Sequence, residues 1–272
     1  MSRRGRKLGR ASAIAALVVT FLVPVVFMFL GSLQTPGQPP PDGFDFIPEV
    51  ARWDNYESVG FIIDIWKQMR NSLIVVVVAV PLTVLIASLA GFTIVTGSRR
   101  MRAFLLAVSV IALMVPATAL WVPRFVMFKW LGVIDTLWAL MVPALMATSP
   151  FYVLVFALAY FRIPTQLYEA ARVEGLSPLR TWATVAWPLA RPAAFAVAML
   201  AFVFHWSNFI DALLYVAGEE RQTIPLGLRA LQTLEPTLHP LMLAGAAIAT
   251  VPSLLAFLIG QQALFARTLE VR

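Results

Sequence analysis

The sequence contains no cysteine, only two histidines and three lysines, and only 13% of its 272 residues are charged. The missing cysteine excludes a disulfide scaffold, a thiolate metal site and a catalytic thiol. His205 and His239 lie far apart, and no His-Glu-x-x-His, Gly-x-Ser-x-Gly or clustered carboxylate pattern occurs. The chain therefore offers no catalytic residue set and no metal site, which argues against a membrane-embedded enzyme. None of Lys7, Lys67 and Lys129 follows a glycine, so no Walker A loop is present to cradle nucleotide phosphates. Any nucleotide-driven step needs another polypeptide.

What is abundant is apolar surface. Hydrophobic residues make up 60% of the chain, against roughly 45–50% in a soluble domain. They come in blocks rather than as a periodic stripe: Ser72 to Ser98 and Thr136 to Phe161 carry no charge at all. About 20 apolar residues cross ~30 Å of hydrocarbon as a helix, and a helix satisfies its own backbone hydrogen bonds there. The pattern predicts an all-α polytopic membrane protein with six spans, near 13–31, 72–95, 104–128, 136–160, 192–216 and 241–264. The first follows Arg3, Arg4, Arg6, Lys7 and Arg10, as in a signal peptide. Its apolar run exceeds the ~7–15 residues of such a segment and no small-residue cleavage pattern follows, so an uncleaved anchor is expected.

Lys and Arg counts in the flanks set orientation. With the N-terminus inside, the inner segments hold 14 of the 21 basic residues, including Arg99, Arg100, Arg102, Arg162, Arg172, Arg180, Arg191, Arg267 and Arg272. The outer segments hold most acids, among them Asp42, Asp45, Glu49, Asp54, Glu57 and Asp64. The expectation is a multi-pass protein of a prokaryotic cell membrane with both termini cytoplasmic. This asymmetry also accounts for the net charge of +7 without any nucleic-acid partner. The outer stretch 32–70 begins with Pro36, Pro39, Pro40 and Pro41, an extended arm by composition. Trp53, Tyr56, Phe61 and Trp66 then suit a water–lipid boundary. No internal repeat or low-complexity tract is found.

The inner loop between spans four and five is the most informative stretch. Pro164 suits a first helical turn. Gly175 can take the left-handed conformation that ends a helix. Ser177 can cap a second helix with Pro178 at its first position. Trp187-Pro188 should end that helix before span five. Ala170 and Ala171 give the first helix a small face that a partner could approach closely, with Glu169 and Glu174 beside it. From the residues alone, an amphipathic helix lying on the inner leaflet and a docking helix are equally open.

Glu169-Ala170-Ala171, Gly175 and Trp187-Pro188-Leu189 resemble the EAA loop of ABC-importer permeases, a long and specific pattern. Asn71-Ser72-Leu73, Leu131-Gly132-Val133-Ile134-Asp135-Thr136, Phe161-Arg162-Ile163-Pro164 and Thr223-Ile224-Pro225-Leu226-Gly227-Leu228 resemble further landmarks of that family. The similarity runs from about residue 70 onward, and its closest subgroup is the carbohydrate type that includes the smaller maltose-system permease. The resemblance implies a type-1 ABC importer permease fold. It places residues 1–68 as N-terminus, first span and outer segment, 69–265 as a five-span core with its coupling loop at about 162–190, and 266–272 as a short tail. It further implies that Glu169, Ala170, Ala171, Glu174, Gly175 and Pro188 contact an ATP-binding subunit, which carries ATP and Mg. A second permease, two ATP-binding subunits and an extracytoplasmic solute-binding protein would complete the unit, and a sugar or oligosaccharide would be the solute. The cycle implied is vectorial: closure of the ATPase dimer favours the outward-facing state, and hydrolysis restores the inward-facing one.

Span five is the expected translocation path, because His205, Ser207, Asn208 and Asp211 are polar groups in an apolar helix. Helix–helix hydrogen bonding is an equally open use of each. Trp121 and Arg124 near the outer end of span three are second-rank candidates, and Asp211 could simply be solvated at the outer surface. Two departures from the subgroup stand out. Span five reads Trp206-Ser207-Asn208-Phe209 instead of Trp-Asn-Asp-Phe, and the chain ends in Leu269-Glu270-Val271-Arg272 rather than in a Gly-rich tail. The competing class is an ion-coupled secondary transporter of a small polar solute. It would need several intramembrane ionisable groups, where this chain offers mainly Asp211 and His205.

Overall fold

A computed structural model describes residues 3–39, 47–233 and 236–268, of which 3–11, 13 and 262–268 are described as backbone only. All regular structure among these residues is helical. Four helices are long and apolar enough to cross a membrane: Ile14–Ser32, Ile65–Thr96, Trp138–Phe161 and Pro236–Gln261. The remaining two expected spans are broken, which the apolar runs alone do not reveal. The side chains of the N-terminal basic cluster, Pro40, Pro41, Asp42, Asp45, Arg267 and the last four residues lie outside the described set.

Contacts divide the chain into two compact units, Met1–Trp66 with Gly227–Val251 and Lys67–Leu226 with Pro252–Arg272. In the first, α1 (Arg3–Ser32) keeps a broad apolar surface uncovered, Leu17 and Phe21 included. Over the described residues 33–39 the chain leaving it turns rather than extends. Pro36 and Gly37 make a turn, and the Gly37 amide donates to the Thr237 carbonyl at 2.8 Å. Buried Asn55, at the start of α2 (Asn55–Ile62), donates to the carbonyls of Ser32 and Gln34, both at 2.8 Å. Tyr56 bonds Ser32 Oγ at 2.7 Å and stacks on Trp53. Phe61 and Trp66 stay exposed, as expected of interfacial aromatics.

The second unit is built on α3 (Ile65–Thr96), α4 (Arg99–Met114), α5 (Trp121–Trp130), α6 (Trp138–Met141) and α7 (Pro150–Phe161). Ser98 caps α4 by accepting the Met101 amide. Predicted span three is two helices bent by 94°. The break falls at Val115-Pro116, where the missing proline N–H and the restriction on its predecessor end α4. α3 and α7 pack backbone to backbone at Gly91, where an added Cβ would lie 2.8 Å from the Ala157 amide nitrogen. The core around this contact holds Ala87, Phe92, Phe156, Tyr160 and Val197. Span four carries its own irregularity. After α6 the chain tightens to a 3₁₀ turn, and Ala147 and Thr148 both take left-handed conformations at φ 59° and 58°.

Two of the sequence landmarks, Asn71-Ser72 and Asp135, converge on one segment, 217–224. Asn71 Nδ2 donates to the carbonyls of Glu220 at 3.0 Å and Gln222 at 2.9 Å. Ser72 Oγ accepts the Ile224 amide at 2.9 Å. Asp135, itself left-handed at φ 56°, accepts the amides of Ala217 and Gly218 and the Arg221 guanidinium at 2.6 Å. Those backbone donors, Gly218 first, with Arg221 beside them, hold the Asp135 carboxyl below the usual carboxylate range. Lys67 adds an ion pair to Glu220.

Candidate functional site

The loop after α7 is the two-helix unit that the sequence predicts. Pro164 stands at the N-cap of α8 (Thr165–Val173). The helix ends on Gly175 at φ +74°, with the Gly175 amide on the Arg172 carbonyl and the Leu176 amide on the Ala171 carbonyl. That pair of bonds is a Schellman motif, and it requires a left-handed residue at the glycine position. Ser177 then accepts the Arg180 amide and caps α9 (Pro178–Leu189).

Pro188 does not end α9 as expected. The helix loosens to a π turn over Trp182–Ala186, with the Trp187 amide on the Trp182 carbonyl. The wider turn relieves the clash that Pro188 would make with the carbonyl four residues back, so the helix runs on to Leu189. It then breaks at buried Ala190 and meets α10 (Arg191–Trp206) at 82°.

The two faces of α8 differ. Tyr168 and Ala171 turn into the chain, Ala171 being 3% exposed. Glu169, Ala170, Glu174 and Gly175 are exposed, and so is Val173 at 88%. Of the two alanines, only Ala170 is open to a partner. Tyr168 Oη reaches the Tyr160 carbonyl at 3.3 Å, and burial, with Tyr160 beside it, pushes its phenol up to about 12. Trp182 Nε1 donates to Ser88 Oγ at 2.9 Å, and Ser88 shares a 2.5 Å bond with the Tyr160 hydroxyl. α8 is thus bonded to α7 and α9 to α3. Sequence reasoning missed Ser88, Tyr160 and Trp182. The signal was a hydroxyl inside the apolar run of span two.

Predicted span five is not one helix. α10 stops at Trp206 and α11 (Phe209–Tyr215) follows after Ser207-Asn208. Ser207 and Asn208 therefore lie at a break between two helices and not inside one continuous helix. Asn208 caps α11: its Oδ1 accepts the Asp211 amide at 3.2 Å and its Nδ2 donates to Asp211 Oδ2 at 3.0 Å. Asp211 is not solvated. Its side chain is 7% exposed and pairs with Arg124 of α5 at 3.2 Å. Tyr215 Oη donates to the Trp121 carbonyl at 3.2 Å. The second-rank pair Trp121 and Arg124 thus joins the polar residues of span five.

His205 is only 6% exposed, and its Nε2 meets Thr148 Oγ1 at 3.2 Å. Thr148 in turn bonds Thr83 at 2.6 Å. This chain of contacts crosses three spans and holds the left-handed break of span four. Ser207 is exposed, its hydroxyl folded back on the Val203 carbonyl. Among the described residues no group of acids and histidines could hold a metal ion.

A family model described as "Binding-protein-dependent transport system inner membrane component" matches residues 79–269. The lactose transport system permease protein LacG of Rhizobium radiobacter is 27% identical over 262 residues, covering 96% of this chain and 94% of its own. The trehalose transport system permease protein SugB of Mycobacterium tuberculosis is 27% identical over 261 residues, covering 94% and 93%. A crystal structure of a bacterial ABC transporter involved in the import of the acidic polysaccharide alginate superposes a chain with TM-score 0.76 at 20% identity, covering 96% of this chain and 98% of that one. With the helical spans and the two-helix inner loop, the family match over most of the chain fixes the assignment: this chain belongs to the binding-protein-dependent inner membrane transport components and is a permease subunit of an ATP-binding-cassette importer.

Proposed function

We propose that this permease forms one half of a translocation path for a sugar or oligosaccharide, and that α8 and α9 dock on a separate ATP-binding subunit that carries ATP and Mg. The other half would be a second permease, and the solute would arrive on an extracytoplasmic binding protein. Both termini would be cytoplasmic, on the same side as the docking loop. The relatives named for lactose and trehalose support the solute class. So does a second structural relative, at TM-score 0.58, solved with an alginate pentasaccharide-bound periplasmic protein.

The observation that carries the docking reading is the outward face of α8. A helix that merely lay on lipid would turn apolar residues to one side and charges to the other. Here Glu169, Ala170, Val173 and Glu174 share an exposed surface, and the Schellman glycine fixes its angle to α9. Ala170 leaves room for a groove to close around the helix, with Glu169 and Glu174 available to basic groups of the partner. Gly175 sets the joint, Ala171 packs inward and Pro188 shapes the second helix. In the path, exposed Ser207 at the break of span five is the group open to solute, while Asn208 caps α11 beside it. His205 and Asp211 already serve the neighbouring spans.

The test is co-purification. Ala170→Trp overfills the docking face without touching the chain's own packing, since Ala170 is exposed. The ATP-binding subunit should be lost or its solute-stimulated hydrolysis uncoupled, while the permease still inserts. Wild-type co-purification and wild-type stimulated hydrolysis in Ala170→Trp would show that α8 is a passive surface helix.

A further inference from the structure

Two cavities follow the same three helices in the second unit. One, of ≈ 420 Å³, lies where α3 ends and α4 begins, beside the inward edge of α8. Its lining includes Ser98, Arg102, Phe161, Tyr168 and Arg172, with Glu169 as the one carboxylate. The other, of ≈ 330 Å³, continues along α3, α4 and α7 and is lined by Ala90, Leu105, Val108, Ala112 and Val153. α3 gives Ala90, Thr93 and Ile94 to the apolar cavity and Val95 and Thr96 to the polar one, so the two follow one another along that helix. Ten residues of α4 separate Arg102 from Ala112, about 15 Å of helix, which matches one leaflet of a ~30 Å hydrocarbon core.

The polar cavity is built for an anion. Arg102 gives one guanidinium nitrogen to the Val95 carbonyl at 2.7 Å and lies over the Phe161 ring at 5.2 Å. Its Nε is buried with no acceptor. Arg172 has no hydrogen-bonding or ionic partner for its side chain among the described residues. The two arginines outweigh Glu169, and the amides at the start of α4 add positive potential. A basic pocket at the end of a membrane span, continued by an apolar groove one leaflet deep, is the shape of a lipid with a charged head.

We infer that α3, α4 and α7 hold one anionic phospholipid, its headgroup phosphate on Arg102 and Arg172 and an acyl chain in the groove running toward Ala112. The site meets the edge of the proposed docking face at Glu169, which lines both. It does not depend on which solute is carried.

The complete importer, reconstituted in nanodiscs of equimolar phosphatidylglycerol and phosphatidylcholine and then extracted in mild detergent, tests this by mass spectrometry of the retained lipid. Phosphatidylglycerol should be enriched several-fold over phosphatidylcholine, because both carry the phosphate but only choline adds a cation that the two arginines repel. Arg172→Gln should remove most of that enrichment. Ala112→Phe should lower retention of both lipids by filling the groove, leaving the arginines in place. Arg102 also holds the Val95 carbonyl, so Arg172 is the cleaner first variant. Equal retention of the two lipids would overturn the inference. So would enrichment that survives both variants. Loss of bound phosphatidylglycerol to millimolar inorganic phosphate, with Ala112→Phe without effect, would assign the pocket to a soluble phosphate and also overturn the lipid.

Discussion

Replacing Gly175 separates backbone geometry from bulk at the joint of the inner loop. The glycine sits at φ +74°, and a Cβ added to it would meet nothing within 4 Å. No substitution there clashes with the rest of the chain, so its cost within the permease is conformational. An L residue in the left-handed region costs about 1–2 kcal/mol, asparagine less and a β-branched residue more. Losing glycine's freedom in the unfolded chain returns about 0.4–1 kcal/mol. The net expectation is near zero for Gly175→Asn, about 1 kcal/mol for Gly175→Ala and about 2 kcal/mol for Gly175→Val. A valine that leaves the left-handed region breaks the bonds of Gly175 and Leu176 to Arg172 and Ala171 and re-aims α9. Thermal unfolding of the detergent-solubilised permease reads the first effect, and co-purification with stimulated ATP hydrolysis reads the second. Both should fall in the order Gly, Asn, Ala, Val. If Gly175→Asn damages coupling as badly as Gly175→Val, the glycine serves close approach of the partner, and the backbone argument fails.

Three further outcomes follow from the polar contacts. Arg124→Met strands the buried Asp211 carboxylate and should cost about 3 kcal/mol, the low end for a broken buried pair because Arg124 is partly exposed. Combining it with Asp211→Leu should cost clearly less than the sum in thermal unfolding, and simple additivity would refute the pairing. Asn71→Ala leaves the carbonyls of Glu220 and Gln222 without their donor and should cost about 1–3 kcal/mol by the same measurement. Asp135 is held below the ordinary value of 3.8, so its stabilisation is complete above that pH and is lost as pH falls through the folded value. The gap in melting temperature between wild type and Asp135→Asn should therefore be constant from pH 7 to 5 and narrow only below about pH 4.

The apolar runs and the two-helix loop were legible because each rests on local signals: uncharged apolar stretches, and a Gly and a Ser-Pro at fixed offsets. Gly175 and the Ser177 cap behave as their chemistry dictates. The broken spans were not legible. Pro116 and Pro188 look alike in sequence, yet the first ends its helix and the second follows a π turn inside one. Ser207 and Asn208 read as polar residues on a helical face. Asn208 instead finds the Asp211 amide and starts a new helix, an alternative that short polar side chains always offer the backbone. Asp211, left open between path and solvent, is buried. Its partner Arg124 lies 87 residues earlier, beyond the reach of any local pattern.

The elbow at Ala190 has a mechanical consequence. α9 has twelve residues, about 18 Å of rod, and it meets α10 at 82° through one buried residue. With the elbow held, the rod turns as one piece with α10 and its whole length is the lever arm. A tilt of α10 by roughly 10° then swings the far end of α9 by about 3 Å, while the residues at the elbow barely move. Small rotations inside the membrane become displacements at the Ser177 end comparable to a side chain's width, and a push there returns as torque on the polar break of span five.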